Sequence, residues 1–140
     1  MAETVKLSLI GTQRDEAGEE TVTQTNANAE YYEKNGHLYL LYEEAQEDLG
    51  TVVKNILKLN DSVLELTRRG SLGTHMIFEA GKEHTADYAT PYGRLKLEVR
   101  THTLEVFFQQ ELPQIKVKYS LMSEGFPLSD CTLVITVESP

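Results

Sequence analysis

The sequence predicts an all-β protein, a single antiparallel meander closed into a barrel of about eight to ten strands. Three observations carry this. Polar and apolar residues alternate in run after run, most regularly from Arg94 to Thr101, where Leu95, Leu97, Val99 and Thr101 share one face. A period of two marks a strand with one buried side. Turn signals recur between the runs. The strongest is Asn35-Gly36, two residues that tolerate the positive φ of a type I′ hairpin turn. The connections are also short, which leaves little room for helical crossovers and makes neighbouring strands antiparallel. Such a meander hides its edges by closing on itself. An eight-stranded barrel has an interior just wide enough for side chains or one small ligand. A two-sheet sandwich is the alternative.

The elements follow in order. Val5, Leu7 and Leu9 alternate with Thr4, Lys6 and Ser8, so residues 3–14 read as a first strand. A polar turn over Asp15–Glu20 leads to a long, polar-faced strand from Thr21 to Lys34. After Asn35-Gly36, Leu38, Leu40 and Tyr42 share a face. Glu43 to Asp61 is ambiguous. Leu49, Val52, Val53 and Ile56 fit helical spacing, but Gly50 and the β-branched residues favour strand, with a short helix as the alternative. Leu64, Leu66 and Arg68 follow on one face after an Asn60-Asp61 turn, and Gly70 and Gly73 bracket the next connection. Thr74–Glu79 is a short strand with Met76 and Phe78 inward, and 84–91 reads as irregular because Pro91 cannot sit in a central strand. The regular strand through Thr101 ends in a turn near His102-Thr103. Leu104, Val106 and Phe108 then alternate up to Pro113, which closes that strand. Ile115 to Leu121 and Cys131 to Val137 are the last two strands.

Composition bounds the function. The 140 residues read as one domain, 1–140, long enough to bury a core. Residues 1–50 carry 11 acids against 3 bases, and 51–140 carry 11 against 10. That balance argues against nucleic acid and anionic membranes as partners, since phosphates demand surplus positive charge. An outer-membrane barrel is rejected because the polar strand faces carry Lys, Arg and Glu that lipid would not accept. The start of the chain lacks the features of a signal peptide, and the one cysteine, Cys131, cannot make an internal disulfide. The expected location is the cytoplasm.

Three further features carry a resemblance: Arg68-Arg69-Gly70, Met76 with Phe78, and Tyr88-Ala89-Thr90-Pro91-Tyr92-Gly93 ahead of an alternating strand. With these the chain resembles the YwiB-like family of small uncharacterised bacterial proteins, over nearly its whole length. The tyrosine–proline–glycine element is the most specific part. The resemblance implies a calycin-like, lipocalin-like barrel in a Gram-positive cytoplasm. It implies no activity, since the family is a domain of unknown function.

Known chemical motifs are missing from the pattern. His37, His75, His84 and His102 show no ligand spacing, so neither a metal nor a cofactor is expected. Gly70-Ser71-Leu72-Gly73 lacks the lysine and helix of a phosphate loop, and no nucleophile elbow is present. One polar feature stands out. Arg68 shares the parity of Leu64 and Leu66, which points its guanidinium into the barrel or its mouth. A buried charge costs several kcal/mol unless paired. Arg68 should therefore meet a carboxylate, tyrosine hydroxyls or an anionic ligand. Tyr42, Thr101 and Tyr119 also fall on apolar parities, Met76 and Phe78 point inward beside them, and Tyr88 and Tyr92 flank Pro91 at one barrel end. These eight residues form the candidate ligand site.

Three functions are open on this reading. The favoured one is a non-enzymatic barrel binding a small, partly apolar molecule, anionic if Arg68 anchors it. The alternative is a protein-interaction or homodimerising module with a filled core, using Tyr39, Leu41, Phe107 and Val134 on the outer parity. An enzyme using Arg68, His75 and a tyrosine is the least favoured, because no spacing demands it.

Overall fold

In the computed structural model, which describes residues 2–46, 51–60, 62–69, 73–90 and 93–140 (side chains of 45, 46, 51 and 88–90 excepted), the alternating runs become ten strands. They are β1 (Glu3–Asp15), β2 (Glu20–Lys34), β3 (His37–Gln46), β4 (Thr51–Leu59), β5 (Val63–Arg69), β6 (Thr74–Glu79), β7 (Glu83–Thr90), β8 (Gly93–Gln109), β9 (Leu112–Ser123) and β10 (Phe126–Glu138). Each pairs antiparallel with the next, and β1 pairs with β10, so the meander closes into a barrel. Among the described residues there is no helix, and none is long and apolar enough to cross a membrane. The ambiguous stretch supplies the end of β3 and all of β4, while residues 47–50 lie outside the described set.

The apolar parity of each strand fills the interior. Leu7, Leu57, Leu64, Phe78, Val99, Val117 and Ile135 are all fully buried. Each such side chain contributes about 1.5–3 kcal/mol on burial. The Phe78 and Tyr119 rings lie 4.8 Å apart and pack against each other inside the barrel.

Three expectations need correction. The segment read as irregular is a strand: β7 pairs with β8 from Glu83↔Arg100 to Thr90↔Gly93. The influence of Pro91, itself outside the described residues, does not extend back along the chain. No turn interrupts the chain at His102. Instead the ladder steps from Thr101↔Tyr119 to Thr103↔Lys118, a one-residue bulge that moves the inward parity from odd (Val99, Thr101) to even (Leu104, Val106). Pro113 does not close β8 but lies in β9, opposite Phe108, and the connection is Gln110-Glu111, with φ of 53° and 66°. Asn35 and Gly36 have φ of 54° and 80°, as the type I′ turn requires.

Two side chains tie the strands where ladders lapse. The β9–β10 ladder ends at Ile135↔Ile115. Beyond it the buried Gln114 amide takes over: Nε2 donates to the Val137 carbonyl at 2.7 Å and Oε1 accepts the Val137 N–H at 3.3 Å. Thr101, fully buried, accepts the Glu79 N–H on Oγ1 at 3.3 Å, while its own backbone bonds Gly81 and Lys82 in the β6–β7 turn.

Candidate functional site

Register brings polar residues into one backbone row across the wall. Tyr42 of β3 pairs with Asn55 of β4, Asn55 with Arg68 of β5, Arg68 with Thr74 of β6, and Thr74 with Tyr88 of β7. Glu44 lies on the same face of β3, two residues beyond Tyr42 and opposite the buried Val53. Arg68 therefore does meet a carboxylate, but loosely: Nη2 is 3.8 Å from Glu44 Oε2, with the Arg68 side chain 37% exposed. A pair that long and wet contributes at most about 1 kcal/mol. Arg68 Nε is buried without a hydrogen-bond partner among the described residues. Asn55, buried, donates from Nδ2 to Glu44 Oε1 at 3.2 Å, yet its Oδ1 has no donor among the described residues. Each unsatisfied buried group costs about 1–3 kcal/mol. Burial, and then the Glu44 charge, push the Tyr42 phenol well above its ordinary value, with Arg68 opposing. At neutral pH Tyr42 thus keeps its proton and can donate a hydrogen bond.

The row lies beside an opening in the wall. Pairing of β2 with β3 runs from Lys34↔His37 to Glu30↔Leu41 and goes no further, although both strands continue. Where they part lies a cleft of about 850 Å³. Its floor holds Ala27, Ala29, Tyr42 and Asn55, and its sides hold Thr4, Asn26, Asn28 and Glu30 against Leu41, Glu43, Lys54, Ile56 and Arg69. Lys54 and Arg69, cross-strand neighbours, make no ion pair among the described residues. The cleft separates because nothing large draws the strands together: the inner parity of β2 beyond Tyr31 reads Ala29, Ala27, Thr25, Thr23, Thr21.

A model of the family described as "Domain of unknown function (DUF1934)" matches residues 7–135. The chain belongs to that family. A curated relative, "Uncharacterized beta-barrel protein YwiB" of Bacillus subtilis (strain 168), is 27% identical over 107 residues, covering 76% of this chain and 74% of the relative. The crystal structure of YwiB from Bacillus subtilis superposes with a TM-score of 0.81 at 24% identity, covering 99% of this chain and 93% of that one. At this identity the likeness establishes the shared barrel.

Within this DUF1934 barrel the eight candidate residues divide. Tyr42 and Arg68 come together, joined by Asn55 and Glu44. Tyr88 lies on the same backbone row, and Tyr92 falls outside the described residues. Met76 and Phe78 are buried below as core, and Phe78 packs on Tyr119. Thr101 pairs with Tyr119 on the far wall and is engaged in the β6–β7 latch. Residue patterning alone missed Asn55, Lys54 and Arg69. Asn55 shares the parity of Val53 and Leu57, a signal masked by the helical spacing around it.

A second polar cluster lies outside the barrel. The bulge sets His102 Nε2 2.7 Å from Ser120 Oγ, which donates to Asp130 Oδ1 at 2.7 Å. The Ser120 proton is directed to the carboxylate, so the imidazole must be the donor and the hydroxyl is not activated as a nucleophile.

Proposed function

We propose that this protein is a non-enzymatic binding protein of the cytoplasm, and that it takes a small, partly apolar anion in the wall cleft rather than in the barrel centre. The observation that carries the reading is two cations, Lys54 and Arg69, without an ion pair among the described residues, beside a floor of Ala27, Ala29 and Tyr42 in about 850 Å³ of space. Apolar clefts with a few converging polar groups are what small-molecule sites look like. Asn55 Oδ1 and Arg68 Nε, both without a partner among the described residues, supply polar atoms behind that floor. The packing of Phe78 on Tyr119 inside the barrel favours the wall over the lumen.

Titration with sodium octanoate, followed by NMR, tests this. The amides of Ala27, Ala29, Tyr42 and Asn55 should shift together, with octanol binding at least tenfold more weakly. Replacing both Lys54 and Arg69 by Ala should weaken octanoate tenfold or more, since hydrogen bonds to charged groups contribute about 1.5–3 kcal/mol. Unmoved cleft resonances at high octanoate would sink the reading.

An interaction or homodimerising surface is the second reading, favoured by exposed Leu95, Phe126 and Leu128 near the β9–β10 turn and by Phe107 and Phe108 on β8. Of the side chains first assigned to that role, Tyr39 is stacked on Tyr32 at 4.9 Å and Leu41 lines the cleft. Phe107 and Val134 sit on β8 and β10, which are not sheet neighbours of β3. Sedimentation as a stable dimer at micromolar concentration, lost on replacing Phe107 and Phe108 by Ser, would favour it.

A further inference from the structure

We infer that the natural occupant of the cleft is an extended peptide strand, pairing through its backbone with the free edge of β2 and presenting a carboxylate to Lys54 and Arg69. The inference rests on the cleft reading above and names the chemical class of its ligand. On one side β2 is paired with β1 from Glu3↔Tyr31 to Arg14↔Glu20. On the other, among the described residues, its pairing with β3 stops at Glu30, and the ten residues back to Glu20 remain strand. Such an edge offers N–H and C=O groups at regular intervals, and each is an obligatory hydrogen-bonding group. A second strand is the ligand whose spacing matches them.

Natural proteins blunt long edges with Lys, Pro, bulges or short length. From Glu20 to Asn28, β2 carries neither Lys nor Pro, and its ladder with β1 has no register break. The edge is also uncluttered on its inner face, where no side chain from Thr21 to Ala29 exceeds threonine in size. Inward side chains of an added strand would rest on Ala27, Ala29 and Tyr42 and should be small or apolar. A second copy of this chain fits poorly. Antiparallel pairing of two β2 edges would bring the acidic hairpin end of one copy, with Glu19 and Glu20, against Glu30 of the other, in a protein of net charge −9.

The test is selection of a phage-displayed library of random dodecapeptides on the full chain. The best binder is then synthesised in its parent form, with alternate backbone nitrogens methylated along one edge or the other, and with its acidic side chains or its C-terminus amidated. At least one methylation pattern should weaken binding fiftyfold or more with every side chain unchanged. Hydrogen exchange at those amides among residues 21–29 that point away from β1 should slow at least tenfold on binding, octanoate should compete, and one of the amidated forms should lose tenfold, identifying the source of the carboxylate. Equal binding by both methylated forms, or protection in the free protein of those amides among 21–29 that point away from β1, overturns the inference. If octanoate binds and no peptide is selected, the cleft reading stands and the peptide falls; if neither binds, both fall.

Discussion

The barrel has two seams, and they behave in opposite ways. Where the two ends of the chain meet, β1 and β10 stay in register from Lys6↔Glu138 to Asp15↔Ser129. Where β2 and β3 are joined by the best hairpin turn in the sequence, the ladder opens after Glu30↔Leu41. Proximity along the chain therefore does not decide which strands stay together. Inner-face packing does: Leu7, Leu9, Ile135 and Val137 zip the first seam, whereas the second has alanines and threonines opposite Tyr42 and Glu44. A turn sets where pairing begins, and apolar burial sets how far it runs.

The contrast can be attacked from both sides. Replacing Ile135, fully buried opposite Leu9, with Ala should cost about 2–5 kcal/mol in urea unfolding. Ala27→Gly at the open seam should cost about 1 kcal/mol or less. Comparable losses at the two sites would remove the distinction. Gln114→Ala leaves the Val137 N–H and C=O without their amide partner. It should cost about 1–3 kcal/mol for each group left unsatisfied, and hydrogen exchange at Val137 should quicken more than at Leu9.

Alkaline pH probes the other seam. The Tyr42 phenol is raised above its unfolded value of 10.0. The unfolded chain therefore ionises first, so the Tyr42 contribution is complete below pH 10 and is lost as pH climbs beyond it. A Tyr42→Phe variant should show a shallower fall in urea midpoint between pH 9 and 11; an identical slope would contradict the buried phenol.

The smallest effect concerns the turns. Gln110 and Glu111 hold positive φ without the residues that favour it. Gln110→Asn with Glu111→Gly, copying Asn35-Gly36, should stabilise by about 0.5–1 kcal/mol, read as a raised Tm.

Much of this was legible in the residues, for local reasons. The Asn35-Gly36 turn follows from φ preferences, and the inward aim of Tyr42 and Arg68 follows from counting parity along two strands. Pro91 and Pro113 misled because a proline constrains its own position and the one before it, not a whole strand. The cleft was not legible at all. It depends on β2 and β3 failing to pair, and that failure becomes visible only once small residues on one strand are set against polar ones on the other.

The bulge at His102 has a consequence for how this barrel can change over time. It acts as a phase shifter, putting the two halves of β8 on opposite frames, so that losing one residue there would export Leu104 and Val106 to the solvent and import Thr103 and Glu105. A relative with a shorter β8 must either recover a residue elsewhere in that strand or exchange its oily and watery sets wholesale. Length at this position is thus inherited together with the pattern downstream of it.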